Sequence, residues 1–241
     1  MEGLESVETS MSRKPTPIQR IGLLIPSTNT VMEQDFRTHL PNGWTLAGSR
    51  MSLTEVTPAG ETRMLDESVL PAARLLAAFH PGVVVFGCTS AGVLRGAPYE
   101  KKLMMQISQS TGAPTVGVMD AVKDNLHREG VKRLVVATPY LESLNEPIRV
   151  SLEMEGFRVL RIVGLGISEN ERIAVVSRSQ ILKLADQCVK ALSPDAMFFS
   201  CTNFPVWQML EELEKTFSIR VITSNQAAFG QALRAAAGAV I

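Results

Sequence analysis

The sequence predicts an α/β protein built from two parallel-sheet lobes related by pseudo-twofold symmetry. Three observations carry that reading. Short, continuously apolar runs recur along the chain, as buried parallel strands require. Helical patterns separate these runs, so each connection reads as a crossover on a sheet covered on both faces. The order of the signals then repeats: "IPSTN" closes an early apolar run and "GCTS" follows later, while "ATPY" closes a second run and "SCTN" follows it. Cys88 lies 59 residues beyond Asn29 and Cys201 lies 61 beyond Tyr140, the spacing of a duplicated unit.

In chain order, residues 1–18 are polar, contain Pro15 and Pro17, and are expected to form a flexible tail. "IGLLIP" (21–26) is the first strand, a helical pattern occupies 62–79, and "GVVVFG" (82–87) is the next strand, followed by the weaker "PTVGVM" (114–119). The second half runs helix 120–129, strand "RLVVATP" (133–139), helix 142–155 and a weaker strand "FRVLRIVG" (157–164). Helices at 170–176 and 178–192, strand "DAMFFS" (195–200), helix 205–216 and strand "IRVITS" (219–224) complete it. Each Cys-Thr pair ends an apolar strand, where open parallel sheets present ligand-binding loops. Two such halves facing each other bring both loops to one cleft.

Composition narrows the function. At 241 residues and 45% apolar content, the chain has enough apolar sequence for one large core or two smaller ones. Lys plus Arg equals Asp plus Glu at 24 each, without charged blocks, so neither nucleic acid nor an anionic membrane is an expected partner. No apolar run approaches the roughly 20 residues that span a bilayer, and the first twenty residues lack a signal-peptide core, so a cytoplasmic protein is expected. Three cysteines without framework spacing argue for reduced thiols. No CxxC pair, HxxxH pair, Gly-rich nucleotide loop or Schiff-base lysine accompanies them, so neither metal nor cofactor is expected.

A strand-to-helix turn that aims backbone N–H groups at a sulfur is expected to lower the thiol pKa, and both Cys-Thr motifs sit at such turns. Two thiols across a cleft can act as base and acid on opposite faces of one carbon, the requirement of cofactor-free racemisation. Alternatively, one thiolate adds to an activated double bond, making it rotatable, and leaves after rotation. Cys188 is different: Ile181, Leu184, Ala185, Cys188, Val189 and Leu192 repeat at helical spacing, so it reads as core.

The segments "IGLLIPSTNTVME", "FGCTSAG", "ATPYLESLNEPI", "GISENERIA", "SCTN" and "ITSNQAAFGQAL", in this order, resemble the aspartate/glutamate racemase superfamily, within it the maleate cis-trans isomerase and arylmalonate decarboxylase branch. The resemblance spans nearly all of the chain after the tail. It implies two Rossmann-like lobes with the active site between them, residues 19–117 with 224–241 forming one and 118–223 the other. It places the isomerase pattern on Asn29, Cys88, Tyr140, Asn170 and Cys201. The decarboxylase branch has Gly at the first Cys position, so Cys88 speaks against simple decarboxylation. "TVGVMDA" (115–121) departs from the pattern, lacking the paired Thr residues often found in isomerases, and this bears on substrate identity.

What the resemblance implies is cis-trans isomerisation of a small cis-dicarboxylate, with Cys88 as nucleophile and Cys201 as general acid/base. Asn29, Tyr140 and Asn170, with Ser27, Thr89, Ser90, Thr202 and Asn203, are expected to hold the substrate carboxylates. A two-thiol racemase is the alternative; an arylmalonate-type decarboxylase or a non-catalytic small-acid binder fits less well. Asn29 and Asn170 also read as helix caps or turn formers, and Tyr140 as a packing residue. Glu33, Asp35 and Asp120 read as caps or surface groups, with Asp120 close enough to a strand end to reach the cleft. Relatives of this kind commonly form homo-oligomers.

Overall fold

The computed structural model describes residues 19–238; the expected tail at 1–18 lies outside the described residues. Its first sheet is made of β1 (Gln19–Pro26), β2 (Trp44–Met51), β3 (Val83–Phe86) and β4 (Thr115–Gly117), in the order β2-β1-β3-β4. Its second is made of β5 (Arg133–Thr138), β6 (Arg158–Gly164), β7 (Ala196–Phe199) and β8 (Arg220–Thr223), in the order β6-β5-β7-β8. All neighbours are parallel. The second order is the first repeated, which is the duplication seen in the sequence.

β1, β3, β5 and β7 are the inner strands, and β3 and β7 are buried along their whole length. Continuous apolar runs are what that environment demands. β2 escapes this pattern because it is an edge strand, with only Leu46 and Met51 buried along "WTLAGSRM".

The helices are α1 (Val31–His39), α2 (Pro58–Glu67), α3 (Val69–Ala77), α4 (Thr89–Val93), α5 (Ala97–Thr111), α6 (Val118–Arg128), α7 (Glu142–Met154), α8 (Asn170–Ala174), α9 (Arg178–Val189), α10 (Leu210–Phe217) and α11 (Ser224–Gly238). The single helix expected over 62–79 is two helices. The break falls at Ser68, whose hydroxyl donates to the Met64 carbonyl at 3.0 Å while its backbone leaves helical geometry. Competition of this kind for backbone groups is why Ser favours helix ends. Residues 205–216 likewise resolve into a short 3-10 turn at Trp207–Met209 and α10. α11 packs against α6, β3 and β4, and its Phe229 meets Phe36 of α1 edge-on at 5.1 Å. Among the described residues, no helix is long and apolar enough to cross a membrane.

In each sheet the chain goes out to one side and then crosses to the other, so the order reverses between β1 and β3 and again between β5 and β7. Crevices at the carboxyl ends of strands open at such switch points. The loops at these two places carry Pro26–Asn29 with Cys88, and Tyr140 with Cys201.

Candidate active site

Cys88 and Cys201 occupy equivalent positions beyond β3 and β7, and both line one small cavity. Pro26, Leu53, Val56, Glu61, Thr89, Ser90, Tyr140, Asn170 and Thr202 complete its walls. Gly87 allows this approach: a Cβ there would fall 2.7 Å from the Met32 sulfur and 2.8 Å from Ile25. Cys88 then caps α4 in extended conformation, with Thr89 and Ser90 in its first turn. Cys201 has φ 134°, a region side-chain-bearing residues rarely adopt. Such strain persists only where the surroundings over-determine it. Here the Cys201 N–H donates to Ser224 Oγ at 3.1 Å, and the Asn203 N–H donates to Cys201 Sγ at 3.3 Å.

Hydrogen bonds stitch the loops across the cleft. Asn29 Nδ2 donates to Thr202 Oγ1 at 2.9 Å, Thr89 Oγ1 donates to Ser224 Oγ at 3.0 Å, and Asn170 Nδ2 donates to Thr28 Oγ1 at 2.8 Å. The Val56 N–H donates to the Ser168 carbonyl at 2.6 Å and the Asn170 N–H to the Thr54 carbonyl at 3.1 Å. With an isolated antiparallel bridge between Glu55 and Glu169, these bonds join the segment after β2 to that after β6 over the cavity. Cys88, Tyr140, Asn170 and Cys201 are each at most 6–7% exposed.

Ten residues were singled out from the sequence, and seven line the cavity: Cys88, Thr89, Ser90, Tyr140, Asn170, Cys201 and Thr202. Asn29, Ser27 and Asn203 stand behind the wall. Asn29 combines both readings offered for it, since its Oδ1 accepts the Met32 N–H at 3.1 Å and caps α1 while its Nδ2 holds Thr202. Ser27 is exposed and tethers Leu53 through its carbonyl and its N–H, at 3.0 and 3.1 Å. Asn203 Oδ1 accepts the Thr30 and Val31 N–H groups, and its Nδ2 donates to the Asn170 carbonyl at 2.7 Å. These are positions that fix loops. Asp120 has a 61% exposed side chain beside Lys123 and does not reach the cavity. Asp35 is neither cap nor free surface group: it accepts from Asn225 Nδ2 at 2.7 Å, and burial pushes its carboxyl up to about 6. Cys188 is fully buried in α9, with its thiol donating to the Val136 carbonyl at 3.5 Å.

The electrostatics correct one expectation. The turns do not lower the thiol pKa values: burial dominates, raising Cys88 well above its ordinary value with Glu61 and Cys201 adding to the rise. Burial likewise pushes Cys201 up to about 12, against the opposing pull of the Tyr140 hydroxyl and the Asn203 N–H. Both thiols are therefore neutral at physiological pH. α4 has only five residues and cannot offset desolvation of this size.

Glu61 is the residue that the sequence reading missed. It is fully buried, Ser90 Oγ donates to its Oε1, and burial pushes its carboxyl up to about 8. One signal could have found it, because Glu61, Met64 and Leu65 share the buried face of α2 at helical spacing. Among the described residues, no group of three or more His, Cys, Asp or Glu side chains is arranged to hold a metal ion.

The family model described as arylmalonate decarboxylase matches residues 21–240. Arylmalonate decarboxylase of Bordetella bronchiseptica is 30% identical over 232 residues, covering 95% of this chain and 94% of that protein. Maleate isomerase of Nocardia farcinica is 25% identical over 230 residues, covering 90% of each. A solved mutant of the Nocardia farcinica maleate cis-trans isomerase with a covalently bound succinylcysteine intermediate superposes with a TM-score of 0.82 at 23% identity, covering 90% of this chain and 92% of that one.

Proposed function

Because the chain belongs to the arylmalonate decarboxylase family, we propose that it is the isomerase variant of that architecture, interconverting a small cis-dicarboxylate of the maleate type with its trans isomer without a cofactor. The observation that carries this reading is the pair of thiols, Cys88 and Cys201, lining one cavity from equivalent strand ends. Decarboxylation of an arylmalonate leaves the first thiol without a task, whereas isomerisation uses both.

In this mechanism Cys88 Sγ, as thiolate, forms a bond to one alkene carbon. The π electrons move to the neighbouring carbon, where their charge delocalises into the attached carboxylate. Cys201 delivers its proton to that carbon, leaving a succinyl group on Cys88 with a freely rotating C–C bond. After rotation Cys201 takes the proton back, the C–S bond breaks and the trans acid leaves. Thr89, Ser90, Asn170 and Thr202 offer hydrogen-bonding groups for carboxylates within the same walls. Because burial keeps the thiols neutral, the Cys88 proton must depart only as substrate enters, and a carboxylate of the incoming dianion is the available acceptor. The succinylcysteine of the Nocardia farcinica mutant is the adduct such a path creates.

A racemase is the second reading, since two thiols lining one cavity also suit proton exchange at a single carbon, one as thiolate removing the proton from one face and the other as thiol delivering a proton to the opposite face. Proton NMR in deuterated water separates the readings. With maleate, the isomerase replaces the cis-alkene signal by the trans one. Deuterium entering the carbon next to a carboxylate of a saturated acid, without alkene turnover, would favour the racemase. Carbon dioxide release from an arylmalonate would restore the decarboxylase.

A further inference from the structure

Glu61 is a buried carboxyl in the wall of a cavity assigned to an acid, and the mechanism above does not use it. Its placement is specific. Thr57 caps α2 by accepting the Gly60 N–H at 3.1 Å, and a Cβ at Gly60 would collide with the Glu55 carbonyl, so the first turn lies tight against the cavity-closing segment. Glu61 follows on the inward face. Its Oε1 accepts from Ser90, whereas its Oε2 is buried without a partner. Around it in the wall stand Pro26, Leu53 and Val56, and the titratable neighbours there are Cys88, Tyr140 and Cys201, none of them cationic. On the outer side of α2, Asp66 pairs with Arg95 at 2.6 Å, in the open. No Lys or Arg among the described residues pairs with Glu61.

An ionised carboxylate in this setting would carry an uncompensated charge beside a dianionic substrate. A neutral one has a hydrogen to give. With Oε1 accepting from Ser90, the proton belongs on Oε2, which is the atom without a partner. A buried donor left unpaired costs roughly 1–3 kcal/mol, and an acceptor brought by the ligand removes that cost. We propose that Glu61 is a specificity-determining residue that donates the Oε2 hydrogen to one carboxylate of the substrate, so that the pocket takes up the acid together with a retained proton. The inference rests on the reading of this cavity as the substrate site. Burial, which pushes the Glu61 carboxyl up to about 8, agrees with the neutral form at physiological pH.

The test is equilibrium binding, which needs no turnover. Succinate, a saturated diacid that cannot isomerise, and phenylacetate, an aryl mono-acid, are titrated calorimetrically into wild type, Glu61→Gln and Glu61→Leu between pH 6.5 and 9.5. In wild type, affinity for the bound acid falls about tenfold per pH unit above about 8, where the donor is lost. Glu61→Gln keeps a donor that does not titrate, so its affinity stays level across the range. Glu61→Leu binds weakly throughout. The thiols titrate far above this window, and Asp35 and Glu100, near 6 and 7, are retained in every variant, so the difference between wild type and Glu61→Gln belongs to Glu61. Equal slopes in these two proteins, binding of neither acid, or preference at pH 7 for the mono-amide of succinate over succinate would overturn the proposal. Absence of maleate turnover with the binding slopes intact would instead reject the isomerase reading and leave this inference standing.

Discussion

Asn29 Nδ2 donates to Thr202 Oγ1 at 2.9 Å, and Thr202 Oγ1 passes the bond on to the Gly87 carbonyl at 2.9 Å. Gly87 precedes one cavity thiol and Thr202 follows the other, so a single relay sets the two cysteine loops against each other. Asn29→Ala removes both this donor and the cap on the Met32 N–H. Leaving such buried partners unpaired costs roughly 1–3 kcal/mol. Urea denaturation should register that loss, and turnover of the remaining folded protein should fall as well; unchanged turnover would mean that the relay does not position the thiols.

Neutral, buried thiols make a reactivity prediction. Alkylation of Cys88 and Cys201 by a small uncharged reagent should be slow at pH 7 and keep rising through pH 10, because the thiolate population grows throughout that range. Peptide mapping at each pH follows the two sites separately. A plateau near pH 8.5, the range of an ordinary free thiol, would contradict the burial argument.

Asp35 supplies a pH-dependent stability. Its folded pKa, about 6, lies above the ordinary 3.8, so the folded chain holds this proton more tightly than the unfolded one. Its stabilising contribution is full below 3.8 and lost as pH rises to about 6. Asp35→Asn, which does not titrate, should match wild type near pH 4 and gain on it by up to about 3 kcal/mol at pH 7. Chemical denaturation at the two pH values checks this; an equal difference at both would remove Asp35 as the cause.

Cys188 is the control thiol. Its sulfur is buried in α9 and donates to the Val136 carbonyl at 3.5 Å, away from the cavity lining. Cys188→Ser should leave turnover per folded molecule unchanged while costing roughly 1–3 kcal/mol of stability, the usual consequence of a smaller, more polar atom in a packed interior. Loss of turnover without loss of stability would be inconsistent with a core role.

The inner strands were legible because burial on both faces leaves only apolar residues to choose from, as "GVVVFG" and "DAMFFS" show. The site was legible to the extent that its residues follow those strands: Cys88 and Cys201 could be placed by strand ends alone. β2 was not, since half of an edge strand faces outward and Arg50 there pairs with Glu33. The thiol ionisation was misjudged for a related reason. A turn is visible in sequence, but the enclosure that outweighs it depends on Leu53, Val56 and Asn170, brought over the cavity by bonds between segments more than a hundred residues apart. Glu61 was hidden because an acidic residue in the first turn of a helix has an ordinary explanation, and only its packing beside Met64 and Leu65 sets it apart.

Covalent bonding of Cys88 to the substrate is the step that separates thiolate addition from proton exchange. Cys201→Ser is mixed with maleate, quenched rapidly in acid and analysed by intact mass and peptide mapping, with Cys88→Ser treated in parallel. Cys201→Ser keeps the nucleophile, and its serine hydroxyl or solvent can still protonate the adduct, but it lacks the thiol that takes the proton back, so the expected result is a protein heavier by one succinyl group, carried on the peptide containing Cys88, and no mass increase in Cys88→Ser. Turnover by Cys88→Ser comparable to wild type, or loss of activity in both variants with no adduct in either, would contradict it.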